Sequence, residues 1–198
     1  MSLWLGILGA SGLISGGDFE AISSVTVGSG GASSIEFTSI PSTYQHLQIR
    51  LIGRYADTGS SGLWNYNMRL NGNDSALYIS HQLRGNGTSA LPGTSGTNQT
   101  SFALGNQSLI PRTNELANVF GASIIDILDY ANTSKNRVIR NLSGVDLNGV
   151  SLDTVTTGNV HIESGLFRST TAVSSVTLFS IYNWAQHSTA ALYGVKAP

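Results

Sequence analysis

Between Ile35 and Arg54 the chain reads IEFTSIPSTYQHLQIRLIGR, an apolar–polar alternation broken once, at Pro41-Ser42-Thr43. Ile35 and Phe37 alternate with polar neighbours before the break, and Leu47, Ile49 and Leu51 alternate with Gln48 and Arg50 after it. Period-two spacing puts successive side chains on opposite faces of a strand, and a proline cannot donate to a ladder. The segment therefore predicts strand, corner, strand. Arg50 and Arg54 within it read as seam or surface charges.

The same grammar runs through most of the chain. Strands are expected at Phe19–Val27, Ser33–Thr38, Tyr44–Arg54, Trp64–Leu70, Ala76–Arg84, Thr100–Leu104, Asn118–Tyr130, Arg137–Val145, Asn159–Phe167, Ser174–Tyr182 and Ala190–Val195. The breaks between them are rich in Gly and Asn, which tolerate positive φ. Asn71-Gly72, set between two alternating runs, reads as a hairpin turn. Helix signals are confined to one turn at Asn114–Ala117, and Gly85–Asn98 reads as a long loop. Short strands at regular spacing predict an all-β fold, an antiparallel β-sandwich of jelly-roll type. Asn118–Tyr130 is apolar at both parities, as suits a central strand or one whose second face is covered by a neighbouring subunit.

Residues 1–17 differ from the rest. The segment is apolar, broken by Gly6, Gly9 and Gly12, and lacks the basic n-region of a signal peptide; it is too short to span a bilayer. It reads as an arm joined at Ser15-Gly16-Gly17 to a β-sandwich domain over residues 18–198. Trp4, Leu5, Ile7, Leu8, Leu13 and Ile14 would be sticky in water, so they are the candidate docking residues for a partner or a sister subunit.

Composition narrows the function classes. Charged residues make up 11% of the 198, against roughly 25% in ordinary domains, and the net charge is −1. A surface of Ser, Thr, Asn and Gly suits packing against protein or sugar and offers no basic stripe for a nucleic-acid backbone. Cysteine is absent, so no thiolate metal site or cysteine nucleophile can form. His46, His81, His161 and His187 have no metal-motif spacing, and Asp126 and Asp129, three apart on a strand, point to opposite faces. No catalytic residue, metal or cofactor is expected, and the chain reads as a non-enzyme. Tyr55, Trp64, Tyr66 and Arg84 are the candidates for stacking on a sugar ring and bonding its hydroxyls, although burial in the sandwich is the commoner fate of such aromatics.

The runs SVTVGSGGASSIEFTSIPSTYQHLQIRLIGR, MRLNG, YISHQLRGNG, VFGASIIDILDYANTSKNRVIRNLSG and the closing ALYGVK together resemble a group of small tailed-phage virion proteins, common among phages of aquatic bacteria, cyanophages included. SIPSTYQHLQIR and IIDILDYANTSKNR are its most specific parts, and Leu63–Tyr66 and Asp146–Thr157 depart from it. The resemblance implies a virion structural component of the tail, fibre, neck or capsid surface, and it transfers no catalytic residue. The expected partners are other virion proteins and further copies of the chain, as a trimer. The alternative is a carbohydrate- or receptor-binding module at a fibre or tail tip, facing a host surface glycan. Nucleic acid and membrane are not expected partners.

Overall fold

The structure, a computed structural model, describes residues 18–57, 59, 62–94, 96–105, 109–148 and 158–196. They contain fourteen strands and no helix: β1 (Phe19–Thr26), β2 (Ala32–Phe37), β3 (His46–Gly53), β4 (Leu63–Trp64), β5 (Tyr66–Leu70), β6 (Tyr78–Gly85), β7 (Ala90–Thr94), β8 (Phe102–Leu104), β9 (Ile110–Pro111), β10 (Gly121–Leu128), β11 (Arg137–Asp146), β12 (Gly158–Phe167), β13 (Val176–Trp184) and β14 (Thr189–Val195). A broad sheet runs β1-β14-β3-β10-β11-β12-β6-β7, a narrow one β2-β13-β5-β8, and β4 pairs with β9. Neighbouring strands are antiparallel, and the inner faces of the two large sheets meet in one core, consistent with a β-sandwich.

Alternation explains the core directly. Leu47, Ile49 and Leu51 of β3 and Ile125 and Ile127 of β10 point inward from the broad sheet. Ile35, Phe37, Met68, Leu70, Val176 and Leu178 answer from the narrow one. Trp184, the largest fully buried side chain, sits where β13 ends. Its indole lies 5.0 Å from the Tyr55 ring and 6.1 Å from that of Tyr66, and its Nε1 donates to the Leu178 carbonyl at 3.3 Å. A Cβ on Gly53 would come within 2.6 Å of this indole, so β3 must end in glycine for the tryptophan to fit.

Several expectations are corrected. Asn71-Gly72 is a tight turn with φ of 54° and 61°, but it joins β5 of the narrow sheet to β6 of the broad one and so makes no hairpin. The Asn71 side chain ties the turn to the far segment: Nδ2 donates to the Ala172 carbonyl and Oδ1 accepts from the Ser174 and Ser175 amides. The Trp64–Leu70 run is split at Asn65 into β4 and β5, which belong to different sheets. Gly85–Asn98 contains the edge strand β7, whose Pro92 is tolerable there because an edge needs only one ladder. Residues 114–117 form turns, and β10 is central but buries one face only, its pattern alternating buried with exposed or half-buried. The arm residues Trp4, Leu5, Ile7, Leu8, Leu13 and Ile14 lie outside the described residues.

Arg54 is the sharpest correction among the charges, because it is an internal brace and not a surface residue. Its guanidinium donates to four carbonyls, those of Thr113, Glu115, Leu116 and Val119, at 2.7–2.9 Å. Burial lowers its pKa from the ordinary value, and Glu115 opposes that shift. The turn-rich segment that follows β9 is thereby fastened to the end of β3. Replacing Arg54 with Ala strands those carbonyls and should cost about 3 kcal/mol. Urea unfolding should show the midpoint falling for Arg54→Ala, and falling less for Arg54→Lys, whose single ammonium cannot meet all four acceptors.

Candidate interaction surface

The broad sheet places side chains in rows, because residues paired in register stand side by side on one face. On its outer face Ile124 of β10 stands beside Leu142 of β11, Leu142 beside Ile162 of β12, and Ile162 beside Leu83 of β6. All four are exposed: 42% for Ile124, 53% for Leu142, 61% for Ile162 and 54% for Leu83. Val160 continues the row by one step along β12 and is exposed as well, and exposed Val138 stands apart, beyond Arg140. The row and Val160 make a contiguous apolar patch on the order of 500 Å², at the upper end of what monomers leave in water. A hollow of about 630 Å³ opens over the row, lined by its four aliphatics and Val138 and by the polar side chains of Asp126, Arg140, Ser164 and His81.

The polar side of the hollow is electrically quiet. Gln48 Nε2 donates to Asp126 at 3.0 Å, and Arg140 pairs with the same carboxylate at 3.4 Å. The surface thus reads as an uncharged aliphatic strip with a self-paired rim, which suits an apolar protein segment and not a phosphate or a cation. Asp129, beyond the end of β10, turns away with positive φ, ion-pairs with Lys135 and donates its backbone amide to His46 Nδ1. Among the described residues no three His, Asp or Glu side chains group as a metal site.

Under the same strands the pattern is inverted. Asn141, Ser143, His161 and Glu163, the inward neighbours of Leu142 and Ile162, are at most 4% exposed. Glu163 accepts the Gly105 amide at 3.0 Å and meets the Asn141 side-chain amide. Burial pushes its carboxyl up to about 7, against the pull of those two hydrogen bonds. Strand parity could place either set inside, and here the polar set is buried while the aliphatic set faces out.

Three of the sugar-stacking candidates, Tyr55, Trp64 and Tyr66, join one aromatic cluster through Tyr182 and Trp184, and Arg84 stands on another strand. Tyr55 and Tyr66 are fully buried against Trp184, so no sugar can stack on them in this fold. Trp64 is half-buried in β4, edge-on to Tyr182 and under the Arg112 guanidinium, which lies 5.1 Å from its ring centre. Arg84 belongs to the broad sheet and points inward opposite His161. Sequence reading missed Leu83, Leu142, Val160 and Ile162. Their alternation was visible, but an alternating strand ordinarily turns its apolar set to the core. Compared with models of protein families and with curated proteins, the chain matches none.

The buried carboxyl makes a pH prediction. Its pKa is 4.5 in the open chain and about 7 when folded. The folded state therefore holds the proton more tightly, and this contribution to stability is full below pH 4.5 and lost as pH rises through 7. Glu163→Gln keeps the shape without the charge, and its amide can donate to Asn141 Oδ1 after a flip of the Asn141 amide. The variant should match the parent in unfolding free energy near pH 4 and exceed it by up to about 3 kcal/mol above pH 8. Denaturant titrations at both pH values measure the difference.

Proposed function

We propose that this chain is a structural subunit of a tailed-phage particle, a jelly-roll sandwich that docks by its N-terminal arm on a neighbouring virion component and self-associates through the broad sheet. The observation that carries the reading is the exposed aliphatic row Ile124–Leu142–Ile162–Leu83. Leaving it in water costs free energy that covering it recovers, at ~25 cal/mol for each Å² of apolar surface. The likeness of SIPSTYQHLQIR and IIDILDYANTSKNR to small virion proteins supplies the setting, and the scarcity of charge fits a subunit that packs against its own kind.

Strand order supports the jelly roll. The half-sheets β1-β14-β3-β10 and β2-β13-β5-β8 exchange the chain between layers at most steps, as two interleaved Greek keys do. On this reading β6-β7 and β11-β12 are additions that widen one layer, and they carry most of the aliphatic row. The subunit closes into a symmetric ring, with a trimer as the expected number.

Light scattering on the intact chain over a range of concentrations tests the assembly. A mass near three times 20.8 kDa is expected. The double variant Leu142→Glu, Ile162→Glu should run as a monomer with unchanged circular dichroism. A monomer at every concentration for the intact chain would remove the self-association claim. Particles produced with a chain lacking Met1–Gly16 test the arm: the body should remain folded and soluble yet be missing from purified virions.

A further inference from the structure

The outer row and the arm are chemically alike, and we infer that they are each other's partners between copies: residues 3–14 of one subunit lie across the Ile124–Leu142–Ile162–Leu83 row of the next. This rests on the assembly reading above and names the surface that receives the arm. Residues 1–17 contain no charged side chain, and the row contains none either. The charges of the rim, Asp126 and Arg140, are already paired with each other and need nothing from an incoming segment. Trp4, Leu5, Ile7 and Leu8 are the kind of side chain a hollow of about 630 Å³ with aliphatic walls accepts.

Length and position agree with this. The row crosses four adjacent strands, three spacings of about 4.8 Å, so it is about 14 Å long. Residues 3–14 can reach about 40 Å when extended, which is ample to cover it. The described chain starts at the far edge of the same sheet: Asp18 accepts the Lys196 amide, and β1 pairs only with β14. At Asp18 the chain, traced backwards, is heading off the end of the sheet where β3 begins and β10 finishes. The row lies the other way, at the level of Arg50. Reaching it within one molecule would require reversal over a lane occupied by Arg50, stacked on Tyr193, and by Gln48. A neighbouring copy imposes no such reversal.

The inverted pattern of β11 and β12 adds an independent reason. Burying Asn141, Ser143, His161 and Glu163 while Leu142, Val160 and Ile162 face water is costly in an isolated subunit. It becomes sensible when the outer row is an interior surface of the assembly. An arm passed from each copy to the next is a heterologous contact, which closes a ring when the rotation allows.

The arm and the row can be disabled separately and then recombined. A chain lacking residues 1–16 keeps the row and loses the arm; the chain with Leu142→Glu and Ile162→Glu keeps the arm and loses the row. Each alone should sediment as a monomer, and an equimolar mixture should give a one-to-one heterodimer. Leu142→Ser with Ile162→Thr provides a gentler pair should the glutamates disturb folding, which circular dichroism and the unfolding midpoint report. Three results would overturn the inference while the intact chain still assembles. One is persistent self-association of the truncated chain, meaning that face meets face. Another is a mixture that forms no heterodimer. The third is cross-linking between Trp4-bearing peptides and β12 within single molecules of the intact chain. If the truncated chain keeps the parent oligomer and the row variant does not, the arm-to-row contact fails while the assembly reading stands. If the intact chain is itself a monomer, both fall.

Discussion

Strand parity is the constraint on which the rest of this molecule depends. Along β11 and β12 the ladders to β10, β11 and β6 run without a register shift, so the inward set at one end of each strand dictates the inward set at the other. At one end that set contains Ile139 and Phe167, which are locked in the core beside Tyr78 and Phe102. At the other end the same parity delivers Asn141, Ser143, His161 and Glu163 to the interior and Leu142, Val160 and Ile162 to the surface. A bulge would have reset the pattern, and none is present. The raised carboxyl pKa of Glu163 and the aliphatic outer row are two consequences of one geometric fact.

The second organising interaction is at the junction of the layers. Trp184 fills the space that Gly53 leaves, touches Tyr55 and Tyr66, and closes the core where β13 ends. One residue on from Gly53, Arg54 collects four carbonyls from the segment between β9 and β10. The tryptophan joins sheet to sheet, and the arginine joins loop to sheet. Both depend on β3 ending where it does, at Gly53.

Much of this was legible in the chain itself. All eleven expected strands are present in whole or in part, since alternation reports local geometry that tertiary contacts seldom overturn when the apolar set is this regular. β7 and β9 escaped notice because one is a glycine- and proline-bearing edge and the other is two residues long. The aromatic candidates fared differently. Tyr55 and Tyr66 carry the same side chain as half-exposed Tyr182, and only their position against Trp184 buries them. Asn71-Gly72 has the turn chemistry of a hairpin, and its two positive φ values are those of such a turn. The strands it joins nevertheless pair elsewhere, because partner choice is decided by core packing across the sandwich.

The amino-acid sequence by itself determined the all-β class, the positions of most strands and the contrast between an uncharged apolar segment at residues 1–17 and a polar, charge-poor body. These follow from spacing and composition, which are properties of neighbours in the chain. Only the tertiary structure decided which face of each strand is inside, that β6, β10, β11 and β12 align their aliphatic residues into one row, and that Arg54 is internal. Those outcomes depend on the register between strands far apart in sequence and on the narrower sheet that covers one side of the wider, relations that no local pattern encodes.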